Sequence, residues 1–484
     1  MSPIPVVLAA LFARSATGDE EVIENLTPLT NILNGTDEST IVALDFIATP
    51  DGRVRGWVEQ SNLRGTWDIV WTCLVTTFIC TYTLLNLNIP APSDTPWILI
   101  KRRLFWMVFA VFAPEIVLTY AAGQWSRAKH SVKAFHGSGY TKWSLKLAFF
   151  ADMGGFRLSC PGTDPFPLNA KQLHWLVVNG FVDYPKTSPA EIWDKSKQDR
   201  LAKLITSFQI GYLVVQCIGR LAQGLAITTL ELNTLAIVVC SLMTAFTWLH
   251  KPSDVATPID LHSPFDIADI IRDESKSCNQ THTWTNTPLD FIDQNGPGWS
   301  MNVQPFMTLP VIPEQRPIQR IPNDRFPMDP YGTQEYFLCF ATLVFTGLHV
   351  AGWNMSFPTY TEQVLWRVAS LILFGVTAAF WILETMASWV RLGRWKMLYL
   401  YFFDRAAIPR FRQATFDRLD QEEQEKPRDI STLPLPWEFW SIAPIAILYG
   451  IARVYQLVEG FMELREIDAS AFVHVEWTQY LPHV

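Results

Sequence analysis

The chain has 484 residues, of which 49% are hydrophobic and only 17% charged, and its mean hydropathy is slightly positive at +0.13. Average soluble domains carry roughly 25% charged residues, so this composition favours a membrane protein. The net charge of −8 is spread along the chain, and without a basic stripe it argues against nucleic acid as a partner.

The first 66 residues (1–66) are polar apart from a short apolar run, PVVLAALFA, at 5–13. A run of this kind followed by small and polar residues resembles a secretory signal peptide. A frayed apolar terminus is the alternative interpretation. The NGT sequence at Asn34 is an acceptor for N-glycosylation if this segment enters a lumen.

About seven apolar runs follow, each close to the roughly 20 residues that an α-helix needs to cross the hydrocarbon core of a bilayer. We therefore predict an all-α fold, a polytopic transmembrane helical bundle of about seven spans, with the lipid bilayer as its main partner. The predicted spans are residues 67–87 and 104–120, two within 203–250, and then 335–352, 362–392 and 437–462.

The segments between the spans differ in composition. The first two spans occupy residues 67–123, and a basic and aromatic connector, 124–202, follows them. In this connector Leu145 to Phe150 is expected to lie along the membrane interface. An Arg-rich loop interrupts the last spans within 335–462, and 463–484 form a tail. With seven spans the Arg-rich segment favours a cytoplasmic N-terminus, whereas a signal peptide and used glycosylation sites favour a lumenal one. Because long loops count little in the charge rule, the lumenal N-terminus is weakly preferred, and endoplasmic reticulum and plasma membrane both stay open.

Residues 203–250 predict a transmembrane hairpin with a tight turn. Gln216, Arg220 and Gln223 follow i, i+4, i+7 spacing and therefore share one face of the first helix. Glu231 lies just after the turn and is expected to pair with Arg220, because either charge alone is costly in lipid. An ion pair that only holds the hairpin together is the structural alternative to a functional pair.

Residues 251–334 are rich in Pro, which predicts a long extramembrane loop without long helices or central strands. The NQT sequence at Asn279 is a further glycosylation acceptor. Asp266, Asp269 and Asp273 have DxxDxxxD spacing, which resembles part of the diphosphate-binding motif of membrane prenyltransferases. The leading Asn-Asp of that motif is missing, which favours a solvated acidic helix face.

Polar and ionisable residues inside the apolar runs are the candidate functional groups, because lipid tolerates them only where they face protein or a polar cavity. Each alone is typical of a buried structural contact, whereas together they predict a shared cavity. Glu115, Glu231 and Glu384 are the predicted catalytic proton donors, with Arg220 tuning a neighbouring acid. The other polar residues expected at membrane depth are Gln216, Gln223, His349 and Arg453.

Several classes of protein are disfavoured because their motifs are missing from the sequence. The chain has no HxxxH or HxxHH box for a di-iron centre and no Walker A loop for ATP. Its last apolar run has no Lys for a retinal Schiff base. We therefore predict neither a cofactor nor a metal ion.

A series of phrases in a fixed order carries a resemblance. They are RGTWDIVWTC with LNLNIPAP, then VFAPEIV, FFADMGGF, LNAKQL, ITTLELNTLA and WLHKPSDV. They cover most of residues 63–260 and resemble a large, mostly uncharacterised family of fungal multi-pass membrane proteins, some encoded near specialised-metabolite genes. The resemblance implies a fungal source and a helical membrane fold, and it transfers no catalytic residue.

The expected function is that of an integral membrane protein of fungal specialised (secondary) metabolism. One hypothesis is an enzyme, such as a cyclase that acts on a lipophilic, isoprenoid-like small molecule through buried carboxylates. A non-catalytic sensor, scaffold or accessory transport protein with pathway enzymes as partners is the alternative.

Overall fold

The computed structural model describes a helical body and two lobes. The predicted signal peptide, Asn34 and Asn279 lie outside the described residues, and so does the side chain of Glu384. The described residues are 52–59, 63–83, 85–187, 191–192, 200–275, 284, 286–293, 315–323, 334–391, 393–411, 413–415 and 436–477.

The described chain is mostly helical, as predicted, but it is not all-α, because it also contains short strands. The longer helices and those of the lobes are α1 (Thr66–Thr83), α2 (Pro96–Phe112), α3 (Pro114–Gly137), α4 (Leu145–Asp152), α5 (Ala170–Val178), α6 (Arg200–Ala222), α7 (Thr229–Thr247), α8 (Ile267–Ser275), α9 (Gln334–Ala351), α10 (Tyr360–Arg391), α11 (Arg394–Phe403) and α12 (Pro436–Met462). The strands are β1 (Arg53–Arg55), β2 (Phe156–Ser159), β3 (Phe166–Leu168), β4 (Ile259–His262) and β5 (Glu466–Asp468). Short 3₁₀ turns lie at Asp290–Asp293, Arg405–Ala407, Glu463–Arg465 and Ala469–Phe472.

Helix α7 is the centre of the body. It begins with a capping box, in which Thr228 and Glu231 each accept a hydrogen bond from the backbone N–H of the other, so the start of the helix is fixed by local sequence. Every side chain from Thr229 to Cys240 is buried. A helix that is buried all round needs neighbours on every side, and α7 packs against α1, α3, α6, α9 and α12.

Helices α2 and α3 are separated by a sharp break at Pro114, and their directions differ by 112°. Pro has no backbone N–H, and its ring excludes the preceding helical turn. Ala113 accordingly leaves the helical region, with φ −142° and ψ 65°.

The two outer ends of this broken pair return to the same end of α7. Arg103 of α2 pairs with Asp254 at 3.0 Å, and Trp248 Nε1 donates to Gln124 Oε1 of α3 at 3.0 Å. The pair of helices is therefore V-shaped. Its tip, at Pro114, points into the helical body. The span predicted for residues 104–120 is broken at Pro114, where the chain turns by 112°.

The helices around α7 direct large apolar side chains outward, including Phe78 on α1, Leu371 on α10 and Ile447 on α12. A surface of this kind is costly in water and normal in lipid. In the described chain, three helices are long and apolar enough to cross a membrane, and the V-shaped pair passes the same test jointly. Those three helical segments are Thr229–Thr247, Tyr360–Leu383 and Pro444–Arg465.

The C-terminal end of α7 meets the α/β lobe, which consists of α4, α5, α8 and the sheet β3-β2-β4, with β2 antiparallel to β3 and parallel to β4. Phe149 and Phe150 of α4 are fully buried in its core. The prediction that Leu145 to Phe150 lies along the membrane interface is therefore wrong. Residues 251–334 are also not wholly irregular, because they supply β4 and α8 to this lobe.

The N-terminal end of α7 meets a smaller terminal lobe, formed by residues 52–59 and 63–65 together with 463–477. In it β1 pairs antiparallel with β5, with Val54 opposite Ile467. The chain that precedes α1 and the chain that follows α12 therefore lie on the same side of the body.

Candidate functional site

Arg453 of α12 lies at the tip of the V-shaped pair and is buried. Because Pro114 ends the hydrogen-bond pattern of α2, the last carbonyls of that helix need other donors. Arg453 Nε donates to Phe112 O at 3.2 Å, and a terminal nitrogen donates to Val111 O at 3.3 Å. The break and the arginine are thus one structural unit.

The remaining face of the Arg453 guanidinium meets α7 and α9. One terminal nitrogen lies 2.7 Å from His349 Nε2 and donates to Asn233 Oδ1 at 3.2 Å. Since the guanidinium can only donate, His349 Nε2 is an acceptor and the ring is neutral. Its Nδ1–H then donates to Phe345 O at 3.0 Å. His349 is therefore held in one tautomer by its two partners.

Glu115 lies in the first turn of α3, next to the break. Tyr449 donates to its Oε1 at 2.6 Å, and in the described part of the chain its buried Oε2 has no hydrogen-bond partner. A cavity of about 20 Å³ beside Pro114 is lined by groups that include Val117 and Ser241. This volume suits about one water molecule and is far smaller than an isoprenoid chain.

A polar stripe lies along one face of α12 and continues into the 3₁₀ turn that follows it. It is formed by half-buried Tyr449, by buried Arg453, Gln456 and Glu459, and by buried Glu463 of the turn. Positions i, i+4, i+7, i+10 and i+14 lie on one side of a helix, and they extend over about 21 Å. Among the residues that the structure describes, Gln456 Oε1 and Glu459 Oε1 are buried without a hydrogen-bond partner. Buried oxygens of this kind usually bind water.

Sequence reasoning found only Arg453 in this stripe. The available signal was the regular spacing of polar residues through the apolar run YGIARVYQLVEGFMELRE. Averaging hydrophobicity over that run hides the spacing, because the apolar residues of the opposite face dominate the mean.

The end of the stripe near the terminal lobe is hydrogen-bonded to the start of α7. Glu463 accepts hydrogen bonds from the backbone N–H of Thr229, at 2.6 Å, and from the Thr229 hydroxyl. The N-terminus of a helix favours a negative charge. Farther along, Asn233 Nδ2 donates to the backbone carbonyl of Gln456 at 3.0 Å, whereas the Gln456 side chain donates to Ser370 of α10 at 3.0 Å.

Glu231 has a different partner from the one predicted. Its carboxylate pairs with Arg64 at 2.5 Å, both side chains being buried, and also accepts from Thr228. The predicted pair with Arg220 is not formed, although Arg220 is near enough to act electrostatically. Arg64 lies outside every predicted span, so a search among intramembrane residues could not find it.

Arg220 instead donates to three backbone carbonyls, those of Ala226 at 2.8 Å, Ser470 at 2.8 Å and Val473 at 2.9 Å. Gln223 also bonds to the backbone of the terminal lobe. Arg220 and Gln223 therefore hold the turn between α6 and α7 against the terminal lobe. This is a structural role, and it does not place them in a shared cavity.

The predicted proton donors lie at different depths. Glu115 lies close to Cys240, which is about 14 Å along α7 from Glu231. The Ser370 hydroxyl on α10 donates to His349 O. Glu384 lies about 21 Å farther along α10 than Ser370. The structure thus brings together Glu115, Arg453 and His349 but leaves Glu231 and Glu384 apart from them. Gln216 has a buried side-chain oxygen without a described partner.

Lys251 forms a second buried polar site, where α7 enters the α/β lobe. Its Nζ donates to Asn86 O at 2.7 Å, to Asn88 Oδ1 at 3.0 Å and to Gln124 Oε1 at 2.9 Å. Burial lowers the pKa of Lys251 to about 7, while the nearby Asp152 carboxylate acts in the opposite direction. One side chain thus joins α3, α7 and the segment after α1.

The acidic residues of α8 have ordinary structural roles where their side chains are described. Asp266 accepts from Ala268 N at 2.8 Å and caps the helix, and Asp269 pairs with Arg272 on the surface at 3.3 Å. The side chain of Asp273 lies outside the described residues. These contacts favour the solvated acidic face over a diphosphate site.

The fold and the site define a class: a helical protein with helices able to cross a membrane, a break held by a buried arginine, and a polar stripe in the interior. The chain belongs to a family of unknown function, DUF8562, whose sequence profile matches residues 40–271 and 334–484, most of the chain. No curated protein and no solved structure matches it. The fungal source stays a prediction.

Proposed function

We propose that the protein is a membrane transport protein in which the polar stripe of α12 relays protons between the break at Pro114 and the terminal lobe. The observation that carries this proposal is the stripe itself. Chains of carboxyl groups inside membrane helices are typical of proton relays in transporters, and a broken helix inside the bundle is typical of transport sites.

The membrane placement that supports this function follows from the two lobes. Helices α1, α6, α7, α9, α10 and α12 each lead from one lobe to the other, whereas the V-shaped pair leaves and re-enters the α/β-lobe side. We infer six crossings and one re-entrant pair instead of about seven spans. Both described ends of the chain then lie on one side, as the pairing of β1 with β5 requires.

The orientation follows from the basic residues near the helix ends. The basic cluster 101–103 at the start of α2 and the basic residues of α11 all fall on the α/β-lobe side. Short basic segments stay in the cytoplasm. We therefore place the α/β lobe in the cytoplasm and the terminal lobe on the outer or lumenal side.

In this mechanism the carboxyl groups of Glu115, Glu459 and Glu463 accept and release protons in turn. Water molecules next to the unpartnered oxygens connect them. Arg453 keeps its proton and acts as a fixed positive charge, which stabilises a neighbouring carboxylate and holds the tip of the V-shaped pair. Movement of that tip would couple proton transfer to the passage of a small solute.

Proton flux into sealed vesicles tests the proposal without knowledge of the solute. The full chain is reconstituted in vesicles that contain a pH-sensitive dye, and a potassium diffusion potential or a pH gradient drives protons inward. We expect flux above that of protein-free vesicles. Glu115→Gln and Glu463→Gln should lower it by about tenfold, because neither amide carries a proton in the relay.

The matched control is Glu466→Gln, which removes a carboxylate of the same lobe that pairs on the surface with Arg55. Its flux should stay within about twofold of the wild-type value, since an exposed pair contributes little. Wild-type flux equal to that of protein-free vesicles under both driving forces would overturn the proposal, and so would equal flux in all variants.

A cyclase of fungal specialised metabolism stays a prediction that rests on the sequence resemblance. The cavity of about 20 Å³ beside Pro114 gives it no additional support. An accessory transport role in such a pathway is compatible with the relay.

A further inference from the structure

Helix α11 has an unusual surface for a helix of a folded protein. None of its residues is buried. Its exposed side chains are mostly large and aromatic, and Phe402 and Phe403 are 71% and 74% exposed. Aromatic side chains of this size are rarely left in water on a monomer surface. The helix therefore needs a partner that the described chain does not supply.

The position of α11 points to the bilayer as that partner. It follows the long candidate span in α10 after a turn at Gly393, and α12 with its own candidate span comes next among the described helices. The candidate span in α10 ends at Leu383, and the helix continues to Arg391. The ten residues of α11 therefore follow the span outside the hydrocarbon core, on the side of the headgroups. Interleaved aromatic and basic residues are the composition of helices that lie in this interface.

The positive charges on α11 and the residues after it indicate that the lipid headgroups they would bind are negatively charged. Residues 394–411, RWKMLYLYFFDRAAIPRF, contain Arg and Lys at four positions against a single Asp. Lys396 lies 5.1 Å from the centre of the Phe411 ring, and Arg405 lies 4.4 Å from that of Tyr401. Cations beside rings at a membrane surface attract negatively charged headgroups, and this attraction falls with ionic strength.

We propose that residues 394–411 form a membrane-surface element that binds anionic phospholipid headgroups of the leaflet on the α/β-lobe side. The proposal rests on the membrane placement given under Proposed function and adds a lipid specificity to it. The aromatic side chains enter the boundary of the acyl chains, while Lys396, Arg405 and Arg410 reach the phosphate and carboxylate groups. The element would fix the position of α10 relative to that leaflet.

Fluorescence quenching in nanodiscs tests this proposal on the full chain. Emission of Trp395, 61% exposed, is obtained as the difference between wild type and Trp395→Phe. Nanodiscs contain phosphatidylcholine and phosphatidylserine in equal amounts, with bromine atoms on the chains of either one or the other. We expect brominated phosphatidylserine to quench Trp395 at least about twofold more than brominated phosphatidylcholine.

Charge variants identify the groups responsible. In Lys396→Glu/Arg405→Glu/Arg410→Glu the two brominated lipids should quench Trp395 equally. The matched control, Lys133→Glu/Lys142→Glu/Lys186→Glu, makes the same change of charge at exposed sites on the same side and should keep the preference.

Two results overturn the proposal. If neither lipid quenches Trp395, a protein surface or water covers α11, and cross-linking at this helix would identify a second copy of the chain. If both lipids quench it equally in the wild type, the helix lies in the membrane without preference for anionic lipid. Resistance of the protein to extraction at alkaline pH separates these results from failure of the membrane placement itself.

Discussion

At the scale of single residues, Lys251 has the most unusual environment outside the candidate spans. Three acceptors surround its Nζ, which matches the three N–H bonds of an ammonium group. Asn88 in turn donates to the carbonyls of Ile321 and Pro322. The lysine therefore links the helical body to the end of the Pro-rich segment through a chain of hydrogen bonds.

The lowered pKa of Lys251 makes a prediction about stability. The unfolded chain keeps the ammonium up to its ordinary pKa of 10.5, whereas the folded chain releases the proton near pH 7. Between these values the unfolded state binds more protons, so the free energy of unfolding should rise with pH. Thermal unfolding in detergent from pH 7 to 10 measures the effect as the difference between wild type and Lys251→Met.

The matched control for this measurement is Lys186→Met, because Lys186 is exposed in the same lobe. Its unfolding midpoint should change with pH as that of the wild type does. If the curves of wild type and Lys251→Met run parallel across this range, the proton on Lys251 does not contribute to stability and the prediction is wrong.

At the scale of elements, the V-shaped pair depends on one arginine from another helix. In Arg453→Met the carbonyls of Val111 and Phe112 lose their donors, and so do Asn233 Oδ1 and His349 Nε2. Each buried acceptor left without a partner costs about 1 to 3 kcal/mol. We expect a loss of roughly 3 kcal/mol or more in the free energy of unfolding, measured by titration with a denaturing detergent.

The charge alone should not restore this stability. Arg453→Lys keeps the positive charge but cannot reach carbonyls on two sides, because an ammonium lacks the planar fork of a guanidinium. Arg367→Met serves as control, since Arg367 bonds to Trp353 O and Asn354 in a half-exposed position and should cost less than about 1 kcal/mol. Full stability of Arg453→Lys would show that charge, not geometry, holds the break.

The elements also show which features local sequence can predict. Pro114 predicts a break and Thr228 with Glu231 a helix start, because these effects act within a few residues. The direction in which α3 leaves the break depends on Arg453, more than 300 residues later. The prediction for Leu145 to Phe150 was wrong because it also depended on distant residues. The composition of an apolar run does not reveal whether lipid or a protein core covers it.

At the scale of the whole molecule, the pairing of the two described ends supports the even number of crossings in the proposed placement. An odd number of crossings would separate β1 from β5, yet they share a sheet. Arg220 adds bonds from the body to the carbonyls of Ser470 and Val473, and Arg64 bonds to Ala471 O within the terminal lobe. Counting apolar runs cannot reveal that the two ends pair, because each run is then treated as an independent crossing.

The proposed membrane placement also removes a conflict between two topology signals in the sequence. With about seven spans, the basic segments and the predicted signal peptide favoured opposite orientations. In the proposed placement of six crossings and a re-entrant pair, the basic residues of α2 and α11 are on the cytoplasmic side, and the predicted signal peptide is expected on the other, so the two signals agree. Asn34 and Asn279 then fall on opposite sides of the membrane, so only one of the two predicted glycosylation sites can be used.

Glycosylation in a eukaryotic host tests this topology directly. Asn34 is separated from β1 by too few apolar residues for a crossing, so in the proposed topology it shares the lumenal side of the terminal lobe and should carry the glycan. Asn279 lies between α8 and the 3₁₀ turn Asp290–Asp293 of the α/β lobe and should not. Asn34→Gln should therefore remove the part of the glycosidase-sensitive shift that Asn34 contributes, while Asn279→Gln should leave the mobility unchanged. Glu476→Asn, which completes Asn-Trp-Thr with Trp477 and Thr478 in or next to the terminal lobe, should add a second shift. A shift that depends on Asn279 would place the α/β lobe in the lumen and invert the proposed direction of the relay.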